Sequence, residues 1–328
     1  MSFLKDKSVL ITGGTGSFGK TFVNRVIADD EIKKLVIFSR DELKQFEMAE
    51  NINSHKVRFF IGDVRDYQRL LQATDGIDVI VHAAAMKQIP AAEYNPMEAI
   101  KTNILGAENI VNAAIRNGVA RVLALSTDKA ANPANLYGAT KLCSDRLMVA
   151  GNTLAGKHIT RFACVRYGNV LGSRGSVIPF FLEKAKSGSI PITDERMTRF
   201  WLTIEQGVQF VLDSIERMHG GEIFVPKIPS FKVTDVARVV CPGVPTHVIG
   251  IRPGEKLHEV MITEDDSYNT VENEDYYAVL SPTLKASGIY DSKSTPVKEG
   301  FRFSSDNNKF WHTDETFLTT LRNNGILK

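Results

Sequence analysis

Near the N-terminus, Thr12–Gly19 (TGGTGSFG) narrows the folds open to this chain more than any other segment. It follows the apolar run Ser8–Thr12 and opens a helix-like stretch, with glycines at 13, 16 and 19. A strand leading through such a turn into a helix suits a dinucleotide. Gly13 makes the tight turn, Gly16 lets backbone approach a pyrophosphate, and Gly19 lets helix and strand pack closely. The free N–H groups and positive dipole end of the helix face the phosphates. Gly13, Thr15, Gly16, Ser17, Phe18 and Gly19 are therefore the expected cradle.

The rest of the first half repeats the same unit. Further apolar runs at Leu35–Phe38, Val57–Ile61, Val79–His82, Arg121–Ser126 and Thr160–Arg166 alternate with helix-length segments at Lys20–Asp29, Gln68–Thr74, Pro96–Asn117 and Tyr137–Ala150. Apolar runs without polar alternation fit strands buried on both faces. The expectation is an α/β fold, a doubly wound parallel sheet of Rossmann type with a smaller C-terminal substrate-binding lobe. After Gly168 the rhythm breaks. Residues 1–168 are read as the nucleotide domain, 204–226 as returning to it through a helix and a strand, and 169–203 with 227–328 as the lobe.

The second strand ends in Ser39-Arg40, with Lys44 one turn on. An acidic residue at this point would bind a ribose hydroxyl and favour NAD, whereas cations suit the 2′-phosphate of NADP. The neighbouring Asp41 and Glu42 argue the other way, and NADP is the expectation. Asp63-Val64 after the third strand is placed for the adenine. Ala83, Ala84 and Ala85 after the fourth are small enough for cofactor approach or simply for tight packing.

Tyr137 and Lys141 stand at i and i+4, on one face of a helix. A nearby ammonium lowers a phenol's pKa, so Tyr137 could exchange a proton with a substrate hydroxyl, with Thr127 as a second hydrogen-bonding group. Gly13-x-x-Gly16-x-x-Gly19, Asp63-Val64, Asn103 and Tyr137-x-x-x-Lys141 together resemble the extended short-chain dehydrogenase/reductases over essentially the full length. The resemblance implies hydride transfer between a sugar-nucleotide hydroxyl and NAD(P), with Tyr137 and Lys141 also touching the cofactor. Asp128-Lys129 after Thr127 adds an acid and a base, as an elimination requires. The runs 126–130, 137–141, 166–170, 197–201 and 252–256 are similar to the inverting UDP-N-acetylglucosamine 4,6-dehydratases that begin pseudaminic acid synthesis, an intermediate of flagellin glycosylation. Related dehydratases and epimerases commonly carry Met where this chain has Tyr137.

That resemblance implies a lyase with UDP-N-acetylglucosamine as substrate. Tyr137, Lys141 and Thr127 act at the C4 hydroxyl, Lys129 as a base of lowered pKa at C5, and Asp128 as the acid at C6. Lys87, Asn169, Arg174, Arg199, Arg252 and Glu255 are the expected substrate contacts, and a homo-oligomer, dimer or hexamer, is implied. A UDP-sugar 4- or 5-epimerase and a non-catalytic NADP-binding sensor are the rival readings.

Composition sets the outer limits. The 328 residues carry 40 Lys+Arg against 38 Asp+Glu, a formal net charge of +2, which argues against a nucleic-acid binder that works by phosphate neutralisation. Cys143, Cys164 and Cys241 form no CxxC pair, so no metal site or disulfide framework is expected. No run reaches the roughly 18 apolar residues of a membrane helix. A cytoplasmic protein with no membrane partner is the expectation. His82, at the end of an apolar strand, reads as a packed, hydrogen-bonded side chain.

Overall fold

The computed structural model describes residues 3–29, 31–172, 176–290, 292 and 294–327. Six parallel strands are numbered here: β1 (Ser8–Thr12), β2 (Lys34–Ser39), β3 (Val57–Ile61), β4 (Val79–His82), β5 (Arg121–Leu125) and β6 (Arg161–Val165). They lie in the order β3-β2-β1-β4-β5-β6, with helices between them. This is the doubly wound arrangement expected. Its order reverses between β1 and β4, where a crevice opens beyond the carboxyl ends of the strands.

The strands are buried because their side chains are apolar on both faces. Val9, Leu10, Ile11, Leu35, Ile37, Val81 and Leu123 are wholly or almost wholly inaccessible. Glu222–Pro226 adds in parallel to β6, as the sequence predicts for Ile223–Val225. The sheet then takes back more of the tail than the reading of 227–328 as lobe allows. Tyr276–Leu280 pairs antiparallel with Glu222–Pro226, and Thr270–Glu272 and Thr295–Pro296 follow. The correction has a packing cause: Tyr277, Ala278, Val279 and Leu280 are buried and cover an edge that would otherwise stay open.

The lobe has its own apolar cluster, in which Phe181, Ile190, Trp201, Phe231, Val236 and Phe317 meet. Its strand Thr198–Leu202 pairs with Ser230–Lys232 and with Asn169–Val170.

The predicted helix over 96–117 is interrupted. Pro96–Ile100 passes through a π-turn at Lys101–Leu105 into the helix Gly106–Arg116. The wider turn carries Asn103 inward. Its side chain accepts from Met86 N at 2.8 Å and donates to Met86 O and to Thr140 Oγ1, each at 2.9 Å. Two helices not anticipated from sequence, Glu42–Glu50 and Ile89–Tyr94, flank the crevice. No helix among the described residues is long and apolar enough to cross a membrane.

Candidate active site

A cleft of about 1300 Å³ runs from the glycine turn across the ends of the strands to the lobe. All six predicted cradle residues line it. Gly13 has φ +67°, and a Cβ there would press on Ala84 Cα at 3.0 Å. The small side chains at Ala83 and Ala84 therefore serve close backbone packing. Thr12 Oγ1 fixes the same place: it accepts from Ala83 N at 3.1 Å and Ala84 N at 3.2 Å, and lies 2.8 Å from His82 Nδ1. With its acceptor side taken, the hydroxyl donates to His82, whose Nδ1 is bare. Burial, then the charge of Lys141, push His82 down to about 3, so it stays neutral.

The first helix, Ser17–Ala28, starts at Gly16 without a side-chain cap, which leaves its first N–H groups to a ligand. Along the rim stand Ser39, Arg40, Lys44, Asp63 and Val64. Lys44 pairs with Asp41, whose carboxylate also caps Glu42–Glu50. Asp63 is bound by Arg65 at 2.6 Å and lies 3.8 Å from Arg40. Arg40, 59% exposed, is the least engaged cation on this rim.

At the centre, β5 runs into a short 3-10 turn, Asp128–Ala130, capped by Thr127. The helix Leu136–Leu154 packs so tightly on this turn that a Cβ at Gly138 would sit 2.2 Å from Lys129 O. The close approach brings Tyr137 beside Thr127 on the cleft wall. Thr127 donates to Asp128 Oδ1 at 2.9 Å, and Lys129 Nζ reaches the same oxygen at 3.0 Å.

Two expectations about charge are corrected. Tyr137 is pushed up to about 12 rather than lowered. Burial dominates, and the opposing influences are Lys129 and the Thr127 hydrogen bond. Lys141 is buried, its own pKa lowered by that burial. Lys129 is not the lowered lysine the reading required. Burial would lower it, but Asp128 and then Glu259 hold it above its ordinary value as an ammonium. Burial pushes Asp128 upward, as its acid role needs, although the residue lies behind Lys129 and is not part of the cleft wall.

Lys87, Asn169, Arg199, Arg252 and Glu255 all border the cleft. Arg174 lies outside the described residues. Lys87 is lowered by burial and by the charge of Lys129, and Asn169 Oδ1 is 3.4 Å from Lys129 Nζ. Arg252 is largely exposed, with Glu255 at 3.8 Å. Arg199 differs from expectation. Its fork donates to the carbonyls of Thr198, Leu257 and Lys256 at 2.7, 3.1 and 3.0 Å, so it braces the loop and is not free for a diphosphate.

A family model described as polysaccharide biosynthesis protein matches residues 9–281. The chain belongs to that family. It is 56% identical over 322 residues to a UDP-N-acetylglucosamine 4,6-dehydratase (inverting) of Campylobacter jejuni, covering 95% of this chain and 96% of the relative. It is 43% identical to a UDP-glucose 4-epimerase of Rickettsia canadensis, over 84% of this chain and 83% of that one. Among solved structures, Pen from Bacillus thuringiensis superposes with a TM-score of 0.91 at 36% identity, covering 99% of this chain and 100% of that one. A dTDP-glucose 4,6-dehydratase of Streptomyces venezuelae, solved with NAD bound, shares the fold at a TM-score of 0.69 and 21% identity, over 76% and 86% of the two chains.

Sequence reading of this family member missed three groups. Glu259 and Lys256 line the cleft from the loop before Val260–Ile262. Asn135 caps the helix Leu136–Leu154 through Gly138 N and donates to Gly254 O at 2.8 Å, tying the lobe to the site. From sequence, 252–256 stands out only as a run. Only contact across the fold distinguishes Lys256, and with it Glu259, from solvated loop charges.

Proposed function

We propose that this chain removes water from UDP-N-acetylglucosamine, with oxidation at C4, reduction at C6 and inversion at C5, using NADP. One observation carries the reading. Behind the hydroxyl-binding pair Thr127–Tyr137, the cleft holds Lys129 hydrogen-bonded to a buried carboxyl, Asp128. Oxidation of a hydroxyl needs the first pair alone, whereas elimination needs an acid and a base besides. The 56% identity to a relative named for this reaction, over nearly the full length of both chains, supports it.

The cradle fits a dinucleotide. A Cβ would crowd Gly13 and Gly19 against backbone, and the uncapped helix start is open. Gly16, Ser17 and Phe18 would hold the pyrophosphate. Arg40 on the rim favours a 2′-phosphate, with Ser39 beside it. Bound there, NADP would supply the hydride acceptor for C4 and the hydride donor for C6.

The chain's own groups move the protons. Tyr137 first gives up its own phenolic proton to solvent in the cleft, a loss that Lys129 and Thr127 favour, and as the phenolate takes the C4 hydroxyl proton. Lys141, buried on the same helix, holds the cofactor end of the cleft. Lys129 exchanges the C5 hydrogen, now acidic beside the C4 ketone. Asp128 supplies the proton with which the C6 hydroxyl departs, and it reaches the sugar as the Lys129 side chain swings towards C5. Lys87, Asn169, Arg252 and Glu255 orient the sugar nucleotide, with the planar Arg252 fork on the diphosphate.

Incubation with UDP-N-acetylglucosamine in deuterated water, read by mass spectrometry, tests this. A product lighter by one water and deuterated at C5 is expected. A product of unchanged sugar mass would move the chain to the epimerase reading, the activity named for the Rickettsia relatives.

A further inference from the structure

Lys129 lies between two acids, one from its own turn and one from the lobe. Its Nζ is 3.0 Å from Asp128 Oδ1 and 3.4 Å from Glu259 Oε1. Glu259 ends the loop before Val260–Ile262, a strand that packs on the Asp128–Ala130 turn, and its side chain is 4% exposed.

The two acids differ. Asp128 Oδ1 already accepts from Thr127 and Lys129, while Oδ2 is buried without a partner and can carry a proton. Glu259 faces three cations: Lys129, Arg199 Nε at 3.7 Å and Lys256 Nζ at 3.8 Å. Arg199 directs its fork at carbonyls, and Lys256 donates to Ala131 O at 2.7 Å, so Glu259 Oε2 is left buried without a hydrogen-bond partner. Burial would raise the Glu259 carboxyl, but those cations hold it below its ordinary range. Burial and the Glu259 charge act together to raise Asp128. Lys87 and Tyr137, the other titratable groups facing Lys129, are a second cation and a neutral phenol. Of the two acids within reach of Lys129, Glu259 is the one whose surroundings favour the carboxylate.

We propose that Glu259 is the proton partner of Lys129, a positioning residue that pairs with its ammonium at rest and takes its proton when Lys129 turns to the sugar. The step rests on the reaction read above. A Lys129 N–H bond breaks and a Glu259 O–H bond forms. The freed lone pair takes the C5 hydrogen as a proton, the C5 electron pair becomes the C5–C6 double bond, and the C6 hydroxyl leaves as water with the Asp128 proton. As Lys129 turns away, Glu259 loses one of the three cations that keep it ionised, burial then favours its protonated form, and Lys129 is left as the amine it must be to act.

The test compares wild type, E259Q and E259D as full chains with bound cofactor. Without sugar, acetic anhydride at about pH 9 reports the free-amine fraction of Lys129 by peptide mass spectrometry, with exposed Lys5 as internal standard. E259Q, lacking the counter-charge, should acetylate Lys129 several-fold faster than wild type, and E259D near the wild-type rate. With UDP-N-acetylglucosamine in deuterated water, E259Q should lose roughly tenfold or more in C5 deuterium uptake. It should still reduce its bound cofactor, since oxidation at C4 does not use Glu259, and E259D should recover most of the exchange. Equal acetylation of Lys129 in wild type and E259Q overturns the proposal, as does undiminished C5 exchange. A parallel loss of cofactor reduction with a lowered Tm overturns it too, because Glu259 would then only brace the loop. Wild type that releases no water would sink the reading of the reaction instead, and the sugar-free acetylation would still decide the pairing.

Discussion

Gly19→Ala probes the cradle at the place where the structure leaves least room. A Cβ at residue 19 would lie 2.4 Å from Gly14 O and 2.5 Å from both Gly14 C and Cα. These are backbone atoms, so no side chain can swing aside, and the contact falls about 1 Å short of the ordinary ~3.5 Å separation. Overpacking of this kind costs about 1–3 kcal/mol, and a clash with backbone belongs at the upper end. Alanine recovers about 1 kcal/mol of helix propensity, leaving a net loss of about 2 kcal/mol. In a chain of this length that lowers Tm by roughly 4 °C. Gly16→Ala is the control. Its φ of −74° and ψ of 173° suit alanine, and its Cβ would meet only Gly13 O, at 3.2 Å. Thermal denaturation without nucleotide should therefore find G19A destabilised and G16A within about 1 °C of wild type. Calorimetric titration with NADP should find both weakened. G19A with wild-type Tm and wild-type affinity would refute the argument that this glycine exists for close helix–strand packing under a phosphate site.

Arg40→Ala should weaken NADP roughly tenfold, the loss of one charge-assisted hydrogen bond, and leave NAD unchanged; equal losses for both nucleotides in the same titration would remove Arg40 from the 2′-phosphate. His82 gives a pH prediction. It ionises near 6.5 in the unfolded chain but only at about 3 when folded. Its contribution to stability is present above pH 6.5 and is lost as pH falls towards 3, by about 1.4 kcal/mol per unit. In urea titrations between about pH 6 and 4, His82→Asn should flatten the wild-type decline by that slope; parallel declines would show that His82 is not the titrating group.

The parallel strands were legible because each is an apolar run bounded by turn residues, and local spacing suffices for that. The glycine turn, and the placing of Tyr137 and Lys141 one turn apart on one helix, were legible for the same reason, since each rests on residues within one turn or one strand–helix junction. The π-turn at Lys101–Leu105 was not, because what pulls Asn103 inward is the Met86 backbone and Thr140, far away in sequence. The tail's return to the main sheet was hidden likewise: the chain from Lys227 onward reads as the short segments of a lobe until the open edge of Glu222–Pro226 is there for Tyr276–Leu280 to pair with.

Charge is where tertiary structure decided most. Residue types and their order were enough to call for an acid and a base at Asp128-Lys129 and a proton-exchanging phenol at Tyr137. The protonation state of each depends on desolvation and on charges a few ångströms away, which adjacency in sequence does not report. Lys129 is an ammonium because Asp128 beside it, and Glu259, 130 residues further on and folded against it, both favour its charge. Tyr137 is held neutral because the packing that brings it to Thr127 also strips its water. Local sequence named most of the groups at the cleft; the fold added Glu259, Lys256 and Asn135 and set the charges that decide which groups carry protons there.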